Sequence, residues 1–423
     1  MTSTDTASGT RALALRLVKG GLPAIAASAF VAFVPILGSL YLSVDDYAVW
    51  ALAATLSTIF IVFDFGTPTL ATKLAGSQQL DFRTSMTLCG LSALPPIALG
   101  ALAIAVWPSY SSAAHLDADR GSAFALIALV SLGGVLRSAG IVYGAAALGR
   151  MHFYRRTAVL FFGGSIQLVV TLVSLEAGLG IVSLGVGTVA AGFVQFAIGF
   201  AVEGGRSRND TVLDSGSAVS VRRTILLFMK TRMFVAMLGL LITQLDRWAL
   251  GLVGDAELLA RYDIATRFVM IPKIVLIALA AGLVADSAKL STAAQGAALL
   301  AKVQKLVLLV TVPLMVGAAV VAYFAQDIAL GIAPSLAIVA AVALAHGINC
   351  TTIAPVNILS GAGRPDYELR YLVPLAGFAA VAYLLGIATG SGMTLVVVWS
   401  TAMVVFSAWF TATSVRYVRE VLA

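Results

Sequence analysis

The chain has 423 residues, of which 60% are hydrophobic and only 11% charged, with a formal net charge of +7 and a mean hydropathy of +0.98. Soluble domains carry roughly 25% charged residues, so this composition excludes a water-facing surface and implies a lipid-facing one. The positive balance does not mark a nucleic-acid binder, because the basic residues lie in short gaps between apolar stretches and form no basic block interleaved with aromatics.

Residues 1–15 are polar and precede a long apolar stretch, which reads as a retained signal anchor rather than a cleaved leader. A helix needs about 20 apolar residues to cross the hydrocarbon. That length picks out twelve spans, at 17–42, 47–68, 85–107, 122–147, 157–175, 179–202, 225–250, 259–286, 305–324, 332–358, 371–389 and 392–413. The fifth and sixth are joined by a short glycine-containing gap, which leaves eleven as the alternative count. The expected fold is therefore an all-α polytopic membrane protein. It has an N-terminal six-helix half (1–202), a polar Gly/Ser-rich linker (203–224) and a C-terminal six-helix half (225–423).

Lys and Arg set the orientation. With the N-terminus inside, 19 of them fall in inner segments, including Arg83, Arg150, Arg155, Arg156 and Arg364. Only Arg120, Arg247 and Arg261 fall at the outer side or its margins. Both termini are then cytoplasmic, which requires an even number of spans and favours twelve over eleven.

Two short matches relate the halves. Asp45-Asp46-Tyr47-Ala48 opens the second span and Ala260-Arg261-Tyr262-Asp263 the eighth, while Gly149-Arg150 follows the fourth and Gly363-Arg364 the tenth. The offsets, 215 and 214 residues, nearly agree. Duplication is the economical account, and an even number of spans per half predicts parallel repeats with a cavity between two lobes.

The same segments carry a family resemblance. The run Tyr41-Leu42-Ser43-Val44-Asp45-Asp46-Tyr47, followed by a helix closing on Asp64-Phe65-Gly66-Thr67-Pro68, resembles the start of a polysaccharide-transporter (Wzx-type) flippase. So do Gln244-Leu245-Asp246-Arg247-Trp248, Arg261-Tyr262-Asp263-Ile264-Ala265 and Leu359-Ser360-Gly361-Ala362-Gly363-Arg364-Pro365. Where the family carries Gly after the first-motif Tyr, this chain has Ala48. Such flippases belong to the multidrug/oligosaccharidyl-lipid/polysaccharide (MOP) exporter superfamily. The resemblance implies two six-helix bundles in a V that work by alternating access in the cytoplasmic membrane. It implies as cargo an oligosaccharide linked to a polyprenyl (pyro)phosphate, moved to the outer leaflet for surface polysaccharide synthesis. A polysaccharide polymerase and a chain-length regulator are the implied partners.

Ionisable residues within spans are costly and usually face a partner or a wet cavity. Arg137 lies roughly 22 Å and Lys273 roughly 21 Å from the outer ends of their helices, too deep to snorkel easily. With Arg267 and Arg232 they are the candidate cationic cavity, arginine being suited to phosphate by its bidentate fork. Internal pairing is the alternative, above all for Arg267, which has Asp263 four residues before it on one helical face. Asp246 and Arg247, near the outer end of the seventh span, read either as an outer gate with Asp263 and Arg261 or as a structural pair. Asp64, roughly 25 Å from the outer face, is a candidate for H⁺ or Na⁺ coupling or merely a helix-end cap.

Gly140-x-x-x-Gly144 reads as a packing motif. No P-loop, nucleophile elbow, dinucleotide fingerprint or metal-ligand spacing occurs, so no cofactor or metal is expected, and transport is favoured over enzymatic activity. The alternatives are a cation antiporter of the same superfamily and a membrane-embedded polymerase or ligase. The latter would carry a large charged outer loop, whereas the longest here, near Pro108–Gly121, is mostly Ser and Ala.

Overall fold

The computed structural model describes residues 33–76, 80–116, 119–150, 152–204, 233–280 (236 excepted), 292–362 and 364–422, and residues 30, 283, 287 and 290 singly. Among them the protein is all-helical, with no strand. Among the described residues nine helices are long and apolar enough to cross a membrane, so the chain is a multi-pass membrane protein. The expected start of the first span, most of the linker and Arg232 lie outside the described residues.

Residues 33–41 are helical and are followed by α1 (Val44–Val62), α2 (Thr67–Gly76), α3 (Phe82–Ala113), α4 (Arg120–Gly149), α5 (Phe153–Glu176) and α6 (Val182–Gly199). A π-helical turn, Phe200–Gly204, continues α6. After the linker come α7 (Leu245–Leu252, preceded by helical residues from 233), α8 (Ala256–Ala280), α9 (Ala293–Leu330), α10 (Leu336–Cys350), α11 (Ile353–Gly361), α12 (Leu369–Thr389) and α13 (Gly392–Leu422). The described residues fall into two compact units, one within Ala27–Ala260 and one within Arg261–Ala423.

Several helices outrun the apolar windows that reveal them. The 38 residues of α9 extend about 57 Å, against a hydrocarbon core of about 30 Å. Its start at residue 293 rather than 305 is set by a cap, not by hydropathy: Thr292 accepts the Gln295 amide, and the helix-forming Ala, Gln and Lys that follow carry the turn pattern outward. Asp81 and Asp119 cap α3 and α4 in the same way, accepting the amides of Thr84 and Ser122 at 2.8 Å. Five charged residues, Glu257, Arg261, Asp263, Arg267 and Lys273, lie along α8, and it is not among the nine strongly apolar helices.

Two of the expected spans are broken helices. After Val62 the chain makes a turn in which Phe65 and Gly66 take positive φ (56° and 71°), a conformation suited to glycine. Pro68 then lies in the first turn of α2, where its missing N–H is no loss. The tenth span breaks between α10 and α11. Pro355 has no amide hydrogen to bond the Thr351 carbonyl, and the chain turns at Thr351-Thr352.

In the first unit, α4 is the central helix, packed against α1, α2, α3, α5 and α6. Its glycines permit the approach. A Cβ on Gly140 would stand 2.7 Å from the Gln195 carbonyl carbon of α6, and one on Gly192 would stand 2.5 Å from the Gly133 oxygen. Gly140 therefore serves packing inside the unit, as small residues do between membrane helices. Tyr47 and Tyr262, aligned by the 215-residue offset, are both wholly buried.

Candidate functional site

Arg137 projects from the middle of α4, about 26 Å along the axis from Arg120. It is 9% exposed, its Nε is buried without a hydrogen-bond partner, and no carboxylate pairs with it among the described residues. A guanidinium kept from water without a counter-charge is costly, so the fold tolerates it rather than gaining from it.

Lys273 lies about 26 Å along α8 from Ala256, one residue after Pro272. Its Nζ donates to Asn349 Oδ1 at 2.8 Å, and Asn349 Nδ2 donates to Ser407 Oγ at 3.0 Å. The partner of this part-buried ammonium is therefore a neutral amide held in turn by α13. The α10–α11 break begins beside Asn349: Thr352 Oγ1 donates to the Asn349 carbonyl at 2.8 Å, and Thr351 Oγ1 shares a 2.7 Å hydrogen bond with Thr411 Oγ1.

The other described charges foreseen within spans each have a bonding partner. Arg267 Nε donates to Asp263 Oδ2 at 3.0 Å across one turn of α8, the internal pairing that their spacing allows. Asp246 and Arg247, both buried, are joined directly: Asp246 Oδ1 accepts the Arg247 amide at 2.8 Å and lies 3.3 Å from Nη1. Asp64 sits in the α1–α2 break, where Oδ1 accepts the Gly66 amide at 2.7 Å and its carbonyl accepts from the Thr67 amide and hydroxyl. That geometry is a turn-forming one.

Two features were not singled out from sequence. Glu203, read there as the first residue of the linker, is 1% exposed in the π-helical turn after α6. It receives Arg150 at 2.6 Å and Arg155 at 3.4 Å, with His152 Nδ1 also at 3.4 Å. A carboxylate just beyond an apolar stretch gives no periodic signal, although a helix-ending acid facing the basic 150–156 segment was the available hint. The second is Trp248. Its Nε1 donates to Thr55 Oγ1 of α1 at 2.7 Å, and its carbonyl accepts the Tyr110 hydroxyl of α3 at 2.8 Å. Those contacts place α7 in the first unit by packing, although it follows the linker in sequence.

The charge pattern is thus asymmetric. Among the described residues the buried carboxylates Glu203, Asp246 and Asp263 each bind an arginine. Arg137 and Lys273 have no carboxylate, and each can receive an anion, Arg137 through a planar fork and Lys273 as a point charge. No group of His, Cys, Asp and Glu able to hold a metal occurs among the described residues, and both cysteines are free and buried.

The fold has solved relatives. A structure of the lipid II flippase MurJ in an inward closed conformation superposes with a TM-score of 0.68 at 12% identity, covering 94% of this chain and 87% of that one. An inward-facing multidrug resistance MATE family transporter of the MOP superfamily gives 0.66 at 14%, covering 93% and 96%. The Vibrio cholerae MATE transporter VcmN in its bent form gives 0.64 at 13%, covering 98% and 100%. Among curated proteins, no sequence matches the chain. The protein thus has the fold of MOP-superfamily transporters. It belongs to the polysaccharide biosynthesis protein family, whose model matches residues 36–333.

Proposed function

We propose that the protein is a flippase that carries a polyprenyl-(pyro)phosphate-linked oligosaccharide from the inner to the outer leaflet of the cytoplasmic membrane, by alternating access of two six-helix lobes. The observation that carries this reading is the buried, carboxylate-free Arg137, with Lys273 on its neutral amide as a second cation. A cation retained at that depth against its desolvation cost has a use that requires positive charge, and a lipid phosphate supplies the matching anion. The polysaccharide family supports a glycan cargo, and the likeness to a lipid II flippase supports a lipid-linked one.

A multidrug or cation antiporter would need an uncommitted carboxylate at depth. The three buried carboxylates among the described residues are bonded to arginines, which favours the anionic cargo. Coupling to H⁺ or Na⁺ would then run through opening of one of those pairs or through Asp64. Cytoplasmic termini follow from the charge bias.

The test is cellular. Deleting the gene should trap the lipid-linked glycan on the cytoplasmic leaflet, and wild-type protein should restore export while Arg137→Ala or Lys273→Ala should not. Normal levels of outer-leaflet glycan in the deletion strain, or full export by the double variant, would reject the assignment.

A further inference from the structure

The arginine-rich end of the first unit holds a cavity whose α4 wall runs from Leu148 inward to Ile141, one helical turn from Arg137. About 310 Å³ in volume, it is lined by Thr69 and Thr72 of α2, Ile141 and Leu148 of α4, and Arg156 and Leu160 of α5. Gly144, with no side chain, widens its α4 wall.

The charges around it are unevenly committed. Glu203 takes up Arg150 and Arg155, whereas the Arg156 side chain has no hydrogen-bond or ion-pair partner among the described residues and stands exposed at the cavity. Thr72 donates its hydroxyl hydrogen to the carbonyls of Pro68 and Ala145, each at 3.0 Å. Thr69 makes no such side-chain bond among the described residues, so Thr69 and Arg156 are the available donors. Ile141, Leu148 and Leu160 supply an aliphatic wall.

A guanidinium, a hydroxyl and aliphatic walls between membrane-spanning helices, at headgroup depth, match an anionic lipid headgroup with its glycerol and upper acyl carbons. The position agrees: the cavity lies between the last turns of α4 and the first turns of α5, the end that the charge bias makes cytoplasmic. Its volume is near the lower bound of roughly 300 Å³ for small-ligand sites, room for a phosphodiester but not for several sugar rings. We propose that this cavity binds the phosphate of an anionic phospholipid of the cytoplasmic leaflet.

Native mass spectrometry of the purified full-length protein, titrated in separate arms with phosphatidylglycerol and with a polyprenyl phosphate in a phosphatidylcholine background, tests this. Wild type should retain one phosphatidylglycerol that Arg156→Ala binds at least about ten-fold more weakly, the loss expected for a charge-assisted hydrogen bond. Arg156→Lys, which keeps the charge but not the fork, should fall between them. Thr69→Val, a near-isosteric change on an exposed position, should also weaken retention. Equal retention by wild type and Arg156→Ala overturns the proposal. So does Arg156-dependent binding of polyprenyl phosphate without phosphatidylglycerol binding, which would assign the cavity to cargo. Because binding rather than transport is read, failure of the flippase reading would leave this result standing, and the converse holds.

Discussion

Replacing Arg137 by Met separates a binding cation from a structural one. The side chain is 9% exposed and has a buried, unpartnered Nε, with no carboxylate to be orphaned when it is removed. Exchange of buried charge for apolar volume commonly ranges from neutral to about 1–4 kcal/mol stabilising, so Arg137→Met should unfold at the wild-type temperature or above it. Cargo binding should behave oppositely. Two charge-assisted hydrogen bonds to phosphate, at about 1.5–3 kcal/mol each, amount to about 3–6 kcal/mol. That corresponds to roughly a hundred-fold to ten-thousand-fold weaker binding. Thermal unfolding of the purified variant, read beside its affinity for a polyprenyl pyrophosphate, gives both quantities. A lowered unfolding temperature with unchanged affinity would refute the reasoning and make Arg137 a structural residue.

The other predictions concern stability and local order. Asn349→Leu should destabilise more than Lys273→Met, because it leaves an ammonium without its partner at a cost of about 1–3 kcal/mol; equal effects in thermal unfolding would show that the 2.8 Å contact is unimportant. Glu203→Gln should cost about 1–3 kcal/mol, since it leaves the part-exposed Arg150 and Arg155 without their counter-charge, and hydrogen exchange should rise in residues 150–156 and 200–204. Gly140→Ala drives a Cβ to 2.7 Å from the Gln195 backbone and should cost about 1–3 kcal/mol. Gly377→Ala, where nothing lies within 4 Å, should be neutral or slightly stabilising by thermal unfolding.

The spans were legible because lipid imposes one long, uniform signal: α3 to α6, α9, α12 and α13 coincide with apolar windows. Their ends were less so, since Thr292 and Asp81 extend helices through hydrogen bonds that hydropathy does not register. The α1–α2 break was written only in Asp64, Phe65 and Gly66, whose turn geometry leaves no periodic trace, and the α10–α11 break only in Pro355. Among the charges, the pairing of Arg267 with Asp263 follows directly from a four-residue spacing on one helix. The hold of Asn349 on Lys273 and of Glu203 on Arg150 joins residues far apart in sequence, and only tertiary packing reveals it. For the same reason Arg156 is indistinguishable in sequence from Arg155, although one faces a carboxylate and the other a cavity.

The central claim is vectorial movement of a lipid-linked anionic glycan, and reconstitution measures it most directly. Proteoliposomes loaded with a fluorescent polyprenyl-pyrophosphate oligosaccharide would be probed with a membrane-impermeant glycosidase that digests only the outward-facing glycan. Wild-type protein should bring nearly all the glycan within reach of the enzyme, while Arg137→Met and Lys273→Met vesicles should stay near the protected fraction of protein-free vesicles. Wild-type vesicles that protect as much glycan as empty ones, or variants that release it as fast as wild type, would contradict the account.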